Sequence, residues 1–222
     1  MSNPPDNDAA SSALAPGSAG LRDRKKLATR LAISNVATQL FVERGFEAVS
    51  VADIADAAQV SRKTVFNYFP RKEDLVFDRE DDARHLARQA LAARGDRPPV
   101  GAVQALMREL LEGGHPIFAI GERAAGFWRM VGDSPTLTTR ARELQVSLGD
   151  DLAAMLAAAA GRPRAEPEAR LAAAMLMASL VTAYAEGLRA FAARRDPAAA
   201  FAAVMARGFA GVDAALAGTG YV

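Results

Sequence analysis

Apolar residues return every three to four positions along most of this chain, and no stretch sustains the every-second-residue alternation of a half-buried strand. The pattern predicts helices throughout. A first helix runs from about Arg22 to Arg44, with Ile33, Val36, Ala37, Leu40 and Phe41 on one face, and Gly45 suits the left-handed residue that closes it. Ser50 caps a short second helix with Asp53 in capping-box position, and Val51, Ile54, Ala55 and Ala58 form its buried stripe. Ser61 caps a third helix ending near Phe69, before Pro70. A long fourth helix is expected from about Arg71 to Ala93, stopped by Gly95 and Pro98-Pro99.

Further along, Val100, Val103, Leu106, Met107, Leu110 and Leu111 mark a fifth helix ended by Gly113-Gly114, and Pro116 opens a sixth carrying Phe118, Phe127, Trp128 and Met130. Ser134-Pro135, Glu166-Pro167 and Asp196-Pro197 each place a proline in a first turn, and predict helices reaching about Ala160, Arg195 and Ala217. The expected fold is all-α, about nine helices, with a three-helix head joined to a larger helical body. Met1 to Gly20, rich in Pro, Asn, Asp, Ser and Ala, reads as a disordered tail; 21–70 reads as the head and 71–222 as the body.

Composition then narrows the chemistry. There are no cysteines and only two histidines, His85 and His115, so thiolate, disulfide and imidazole-cluster chemistry have no residues to work with. The reading is therefore no catalytic residue, no metal, no cofactor and a reducing cytoplasm. Leu171 to Ala185, the most apolar stretch, is broken by Ser179 and Thr182 and reads as a buried helix rather than a membrane span.

Net charge is only +1, yet it is unevenly spread. Arg22, Arg24, Lys25, Lys26 and Arg30 stand against Asp23 alone, and Arg62, Lys63, Arg71 and Lys72 stand unopposed between Ser61 and Lys72. Positive charge is thus focused near the first three helices, where phosphates could be met.

The outer face of the third helix carries the informative groups. With Val65 inward and about 100° per residue, Phe69 and Ser61 stay near the inner side, while Lys63 and Asn67 fall almost opposite, flanked by Thr64 and Phe66. Lys donates to guanine, Asn bonds adenine bidentately, and Thr or Phe touches a thymine methyl. Tyr68 and Lys72 lie where a backbone phosphate would be met, and the free N–H groups at Ser50 and Ser61 attract phosphate. With Arg62, these form the expected surface for double-stranded DNA.

Arg24 to Leu75, and above all VSVADIADAAQVSRKTVFNYFPRKEDL from Val49 to Leu75, resembles the DNA-binding head of the TetR family of bacterial regulators. The resemblance implies that Thr64, Phe66, Asn67 and Tyr68 fall at groove and backbone contacts, Lys72 at a phosphate-binding lysine, and Ser50 and Ser61 at helix starts that contact phosphate. Two positions depart from the family pattern: Gln59 stands in a turn where Gly is usual, and Phe66 stands where Tyr is common.

The resemblance further implies a body that dimerises through its last two long helices and holds an inducer. Phe201, Val204, Met205, Gly208, Phe209, Val212 and Leu216 recur at helical spacing as a candidate dimer stripe, with an intramolecular core as the equal alternative. Met107, Phe118, Phe127, Trp128, Met130, Met155, Met177 and Tyr184 are the candidate lining of an apolar, adaptable pocket, with His115, Glu122 and Arg123 as candidate polar contacts. The expected function is a sequence-specific DNA-binding regulator, a repressor by the family's default, released by an apolar small molecule acting through helix four. A DNA-binding structural protein without an inducer shares the head and differs in the absence of ligand-dependent release. A helical enzyme is the remaining class, and no paired ExxH-type spacing supports it.

Overall fold

A computed structural model describes residues 18–78, 80–164 and 166–222. Among them are α1 (Ser18–Arg44), α2 (Val51–Ala57), α3 (Arg62–Tyr68), α4 (Glu80–Ala92), α5 (Pro99–Glu112), α6 (Glu122–Asp133), α7 (Pro135–Ala159), α8 (Pro167–Ala192) and α9 (Pro197–Ala215). Two short 3₁₀ turns stand between them, Lys72–Leu75 and Pro116–Phe118, and no strand occurs among the described residues. The fold is all-α, as the periodicity predicts. The expected disordered tail lies outside the described residues from 1 to 17, but 18–20 already belong to α1, four residues before the predicted start.

The caps act as the sequence implies. Ser50 Oγ accepts from Asp53 N–H at 3.2 Å while Asp53 Oδ2 accepts from Ser50 N–H at 2.8 Å, closing the capping box. Ser61 Oγ accepts from Thr64 N–H at 3.0 Å, and Asp196 Oδ1 accepts from Ala198 and Ala199 N–H at 2.9 and 3.1 Å. Gly45, at φ +82°, closes α1 through its N–H to Phe41 O.

Two elements differ from expectation. The fourth helix is not continuous from Arg71: Lys72–Leu75 forms a 3₁₀ turn, and α4 begins only at Glu80. Asp74 Oδ2 accepts from Arg71 N–H at 2.9 Å, a capping bond that starts a separate turn at Lys72, and this turn closes at Val76 before α4 begins. Likewise Pro116 opens only the turn Pro116–Phe118, and the sixth helix starts at Glu122.

Two apolar cores result. The head core gathers Ile33, Phe41, Ile54, Val65, Phe69 and Leu75, all 3% exposed or less, together with Val131 and Leu137 from the end of α6 and start of α7. Phe77, Phe127, Met130 and Ala141 pack around it. The head core therefore does not close at residue 70 but takes in the α6–α7 corner. Ser134 there is 2% exposed and donates to Glu47 Oε1 at 2.6 Å, tying that corner to the loop between α1 and α2.

The body core joins α5, α7, α8 and α9 through Val100, Val103, Leu156, Leu176, Phe201 and Val212. α8 and α9 cross closely, because a methyl group at Gly208 would overlap Ser179. The chain's end returns to this core: Tyr221 is 1% exposed, its carbonyl accepts from Val100 N–H at 3.0 Å, and its hydroxyl donates to Glu166. Burial and that carboxylate together raise the Tyr221 pKa well above its ordinary value.

Candidate nucleic-acid interface and ligand body

The interface is built on α2, a tight turn and α3. At the end of α2, Gln59 N–H bonds Asp56 O at 3.2 Å and Val60 N–H bonds Ala55 O at 2.9 Å, the paired bonds of a Schellman closure. Gln59 takes the left-handed position at φ +55°, where an L residue is strained by about 1 kcal/mol. The turn geometry expected of a glycine is thus kept by a glutamine.

α3 then presents two faces. Val65 and Phe69 are each 1% exposed, whereas Phe66 is 49% exposed and Arg62, Lys63 and Asn67 also face solvent. Thr64 is half-buried, with its hydroxyl 2.8 Å from Ser61 Oγ. The free outward set of cation, amide and ring suits the donor and acceptor pattern of a major groove. No acidic residue lies in the first turn of α3, so its N-terminal dipole is unopposed.

The remaining predicted contacts are placed differently from one another. Ser50 is exposed, but its hydroxyl also donates to Asp53 Oδ2 at 2.6 Å, so it is committed to the capping box. These hydrogen bonds from Ser50 hold the Asp53 carboxyl below its ordinary range, leaving a negative charge at the start of α2. Tyr68 is half-buried against the head core. Lys72 sits in the 3₁₀ turn rather than on a helix, with Nζ 4.1 Å from the centroid of the Phe46 ring. Partial burial lowers its pKa, opposed by the nearby Glu47, Glu73 and Asp53 carboxylates.

A polar seam fastens the head to α7. Arg140 Nε donates to Asp74 Oδ1 at 2.8 Å, and one Glu143 oxygen accepts from Arg71 at 2.7 Å and Arg140 at 3.2 Å. The hydrogen bond from Arg71, then that from Arg140, holds the Glu143 carboxyl below its ordinary value. Arg71, Arg140 and Glu143 line an open cleft of about 460 Å³ together with Glu73, Thr136 and Thr139.

The eight candidate pocket residues do not converge. Met107 and Phe118 line a seam between α5 and α9 with Arg108, Leu111, Phe201, Met205 and Phe209, enclosing about 20 Å³. Met155 and Tyr184 pack against the body core, while Phe127 and Met130 pack against the head core. Met177 stands apart, beside Gly149. Trp128 is 37% exposed and bridges two groups, its ring 5.3 Å from Phe127 and 6.3 Å from Tyr184. Burial among these rings pushes the Tyr184 hydroxyl up to about 12. His115 Nδ1 accepts from the nearby Ile117 N–H at 3.3 Å, and Glu122 and Arg123 are exposed.

The proposed dimer stripe is largely turned inward. Phe201, Met205, Phe209, Val212 and Leu216 are all 5% exposed or less within the single chain, because α5 and α8 cover that face. What α8 and α9 leave open is a different surface. Leu171 and Val181 are 46% and 45% exposed, with Ala174 and Ala178 between them and Ala203, Ala206 and Ala210 on α9. Both helices are long and apolar enough to cross a membrane by length and composition alone, a test that the core helix of a globular protein also passes.

Residues missed by the pattern are those whose partners are distant in sequence. Glu47, Val131 and Leu137 look like ordinary surface or stripe residues until the corner meets the head. Gln104 had a visible signal, an amide within the apolar stripe of α5; it is 3% exposed.

Residues 33–78 match the model for bacterial regulatory proteins of the tetR family. The chain is 46% identical over 57 residues to the HTH-type transcriptional regulator LuxR of Vibrio harveyi, covering 26% of each protein. It is 30% identical over 113 residues to the HTH-type transcriptional regulator TcmR of Streptomyces glaucescens, covering 49% of this chain and 50% of that one. The chain thus spans between a quarter and a half of the length of these curated relatives. The solved SmeT–triclosan complex shares the fold, with a TM-score of 0.53 at 19% identity over 83% of this chain and 91% of that one.

Proposed function

This chain belongs, through its head, to the tetR family of bacterial regulatory proteins, and from that premise we propose that it is a sequence-specific DNA-binding repressor released by a small molecule. The observation that carries the reading is α3. Two residues anchor it at 1% exposure while Arg62, Lys63, Phe66 and Asn67 stand outward, and groove recognition requires that division. Lys63 and Asn67 read base edges, Phe66 meets a thymine methyl, and Arg62, Ser61 and Lys72 meet phosphates. Thr64 and Tyr68, each half-buried, contribute at the margin of the same surface.

Two heads are needed to reach successive grooves about 34 Å apart, so the working unit is a homodimer. The open faces of α8 and α9, with Leu171, Val181 and their exposed alanines, support a second copy as the partner that covers them. Ligand binding that favours a dimer with displaced heads releases DNA tenfold for about 1.4 kcal/mol of differential affinity. DNA as the target places the protein in the cytoplasm.

One observation favours a second reading, a DNA-binding protein without an inducer: the apolar seam of the body encloses only about 20 Å³. Footprinting on the DNA upstream of its own gene tests the head, with two protected half-sites expected about one helical turn apart. Absence of any protected site overturns the DNA reading. Repeating the footprint with apolar metabolites separates the two readings, because only the first predicts release.

A further inference from the structure

Resting on the reading that the body holds an inducer, we propose that the seam between α5 and α9 is its binding site and that the ligand is a lipophilic carboxylic acid held by Arg108. The walls of the seam are apolar: Met107 and Leu111 from α5, Phe118 from the turn before α6, and Phe201, Met205 and Phe209 from α9. Phe201, Met205 and Phe209 are successive turns of one helix, so the seam runs about 12 Å along α9. Its 20 Å³ is the room of about one water, and a tail must displace side chains to enter. Two of the walls are methionines, whose three flexible torsions and soft sulfur suit such repacking.

The mouth of the seam supplies the charge. Arg108 Cζ lies 4.9 Å from the centroid of Phe209, and Arg108 Nη2 donates to Gln104 Oε1 at 3.2 Å. Among the described residues no carboxylate forms an ion pair with Arg108, in contrast to Arg71, Arg84, Arg140, Arg162 and Arg189. The nearby acid, Asp213, is engaged instead by Gln104, whose Nε2 donates to Asp213 Oδ1 at 2.7 Å. Gln104 is thus a buried amide that uses one end to position the arginine and the other to occupy the carboxylate. That leaves guanidinium donors at the rim of an apolar slot without a matching acceptor. A carboxylate completes them with charge-assisted hydrogen bonds, a neutral head group does so weakly, and an ammonium is repelled.

At the other end of the seam, the Phe118 and Phe201 rings lie 5.4 Å apart and both meet Tyr184. Those rings accept either an alkyl or an aryl terminus, so the shared chemistry is an apolar tail on a carboxylate.

The test uses the full chain, titrated calorimetrically below the micellar range with decanoate, phenylbutyrate, methyl decanoate and decylamine. Each compound is then added to the operator complex and DNA release is followed by anisotropy. Decanoate or phenylbutyrate is expected to bind at least about tenfold tighter than the ester, the factor that corresponds to one charge-assisted contact, and decylamine not to bind. Arg108→Gln is expected to remove the preference for the acid, and Arg108→Lys to keep most of it. Leu111→Trp, which fills the seam from a half-buried position, is expected to abolish binding of acid and ester alike.

Equal affinity for acid and ester, or an undiminished preference in Arg108→Gln, overturns the proposal. If the ester releases DNA as well as the acids do, the inducer reading stands and the carboxylate assignment falls. If no compound of any charge binds, the assignment to the seam falls, whereas the inducer reading falls separately, when no apolar metabolite releases the operator complex. Folding of each variant is checked by its melting temperature without ligand.

Discussion

In the head, Val65 and Phe69 are each 1% exposed while Phe66, between them on α3, is 49% exposed; in the body, Phe201 and Phe209 are 1% and 5% exposed and line a seam of about 20 Å³. The head closes a small core and leaves its chemistry outside, on the residues that the core does not use. The body uses the same apolar residues for stability and for any ligand, so its chemistry exists only as a change in packing. A surface site is fixed once a helix is oriented, whereas an interior site depends on how neighbouring helices share volume. This difference also explains why Arg108, at the mouth of the seam, is more informative than any of the seam's walls.

The comparison is broken most forcefully at the place where the two regions meet. Leu137 is fully buried yet belongs to the first turn of α7 and to the head core. Leu137→Ala is expected to cost about 2–5 kcal/mol in equilibrium denaturation and to weaken DNA binding with it. Leu176→Ala, equally buried but inside the body core, is expected to cost a similar amount. A head that denatures independently of the Leu137 substitution would show that the α6–α7 corner is not part of its core.

Next in size are two substitutions that separate reading from holding. Asn67→Ala is expected to cost about 1–3 kcal/mol at a single base pair and relax preference there, measured with a panel of single-base operator variants. Lys72→Ala is expected to weaken all duplexes alike and to reduce the salt slope by about one. If the two variants respond identically across the panel, α3 is not in the groove. Part of the lysine's reach is already committed to the Phe46 ring, 4.1 Å away, which sets it apart from the fully outward Lys63.

How much of this was legible follows from the range of the forces involved. Ser50, Ser61 and Asp196 cap helices through bonds to residues two or three positions on, so their roles can be read locally. The outward face of α3 follows from Val65 and Phe69 by helical geometry alone. The fourth helix begins later than the periodicity predicts: Lys72–Leu75 is a separate capped turn that closes at Val76, and periodicity does not register a break between two consecutive helical segments. Leu137 and Val131 appear as ordinary apolar positions, and only tertiary contact assigns them to the head core rather than the body core. The stripe from Phe201 to Leu216 had two possible partners, another copy or the chain itself, and periodicity is the same for both.

A smaller effect sharpens the head's side of the comparison. Gln59, at φ +55°, holds the turn that orients α3. Gln59→Gly is expected to relieve left-handed strain of about 1 kcal/mol, partly offset by the greater freedom of glycine in the unfolded chain. The net gain in stability is therefore under about 1 kcal/mol, read from the denaturation midpoint at constant slope. DNA preference should not change, since no outward group on α3 moves. A loss of stability would mean that the glutamine side chain contributes more than its backbone costs.

The smallest effect concerns the ionic part of the join between head and body. Arg71, and then Arg140, hold Glu143 below its ordinary pKa of 4.5, so the contribution exists while the carboxylate is ionised. It is fully present above that ordinary value and is lost as pH falls through the lowered folded value. Wild type and Glu143→Gln should therefore differ in melting temperature near neutrality and converge as acidification carries the pH through that lowered value. Salt should shrink the same difference, because these side chains face solvent, whereas the apolar contact made by Leu137 is not screened. A difference that persists unchanged at low pH would assign the role of Glu143 to packing against α7 rather than to its charge, and the join would then rest on the buried corner alone.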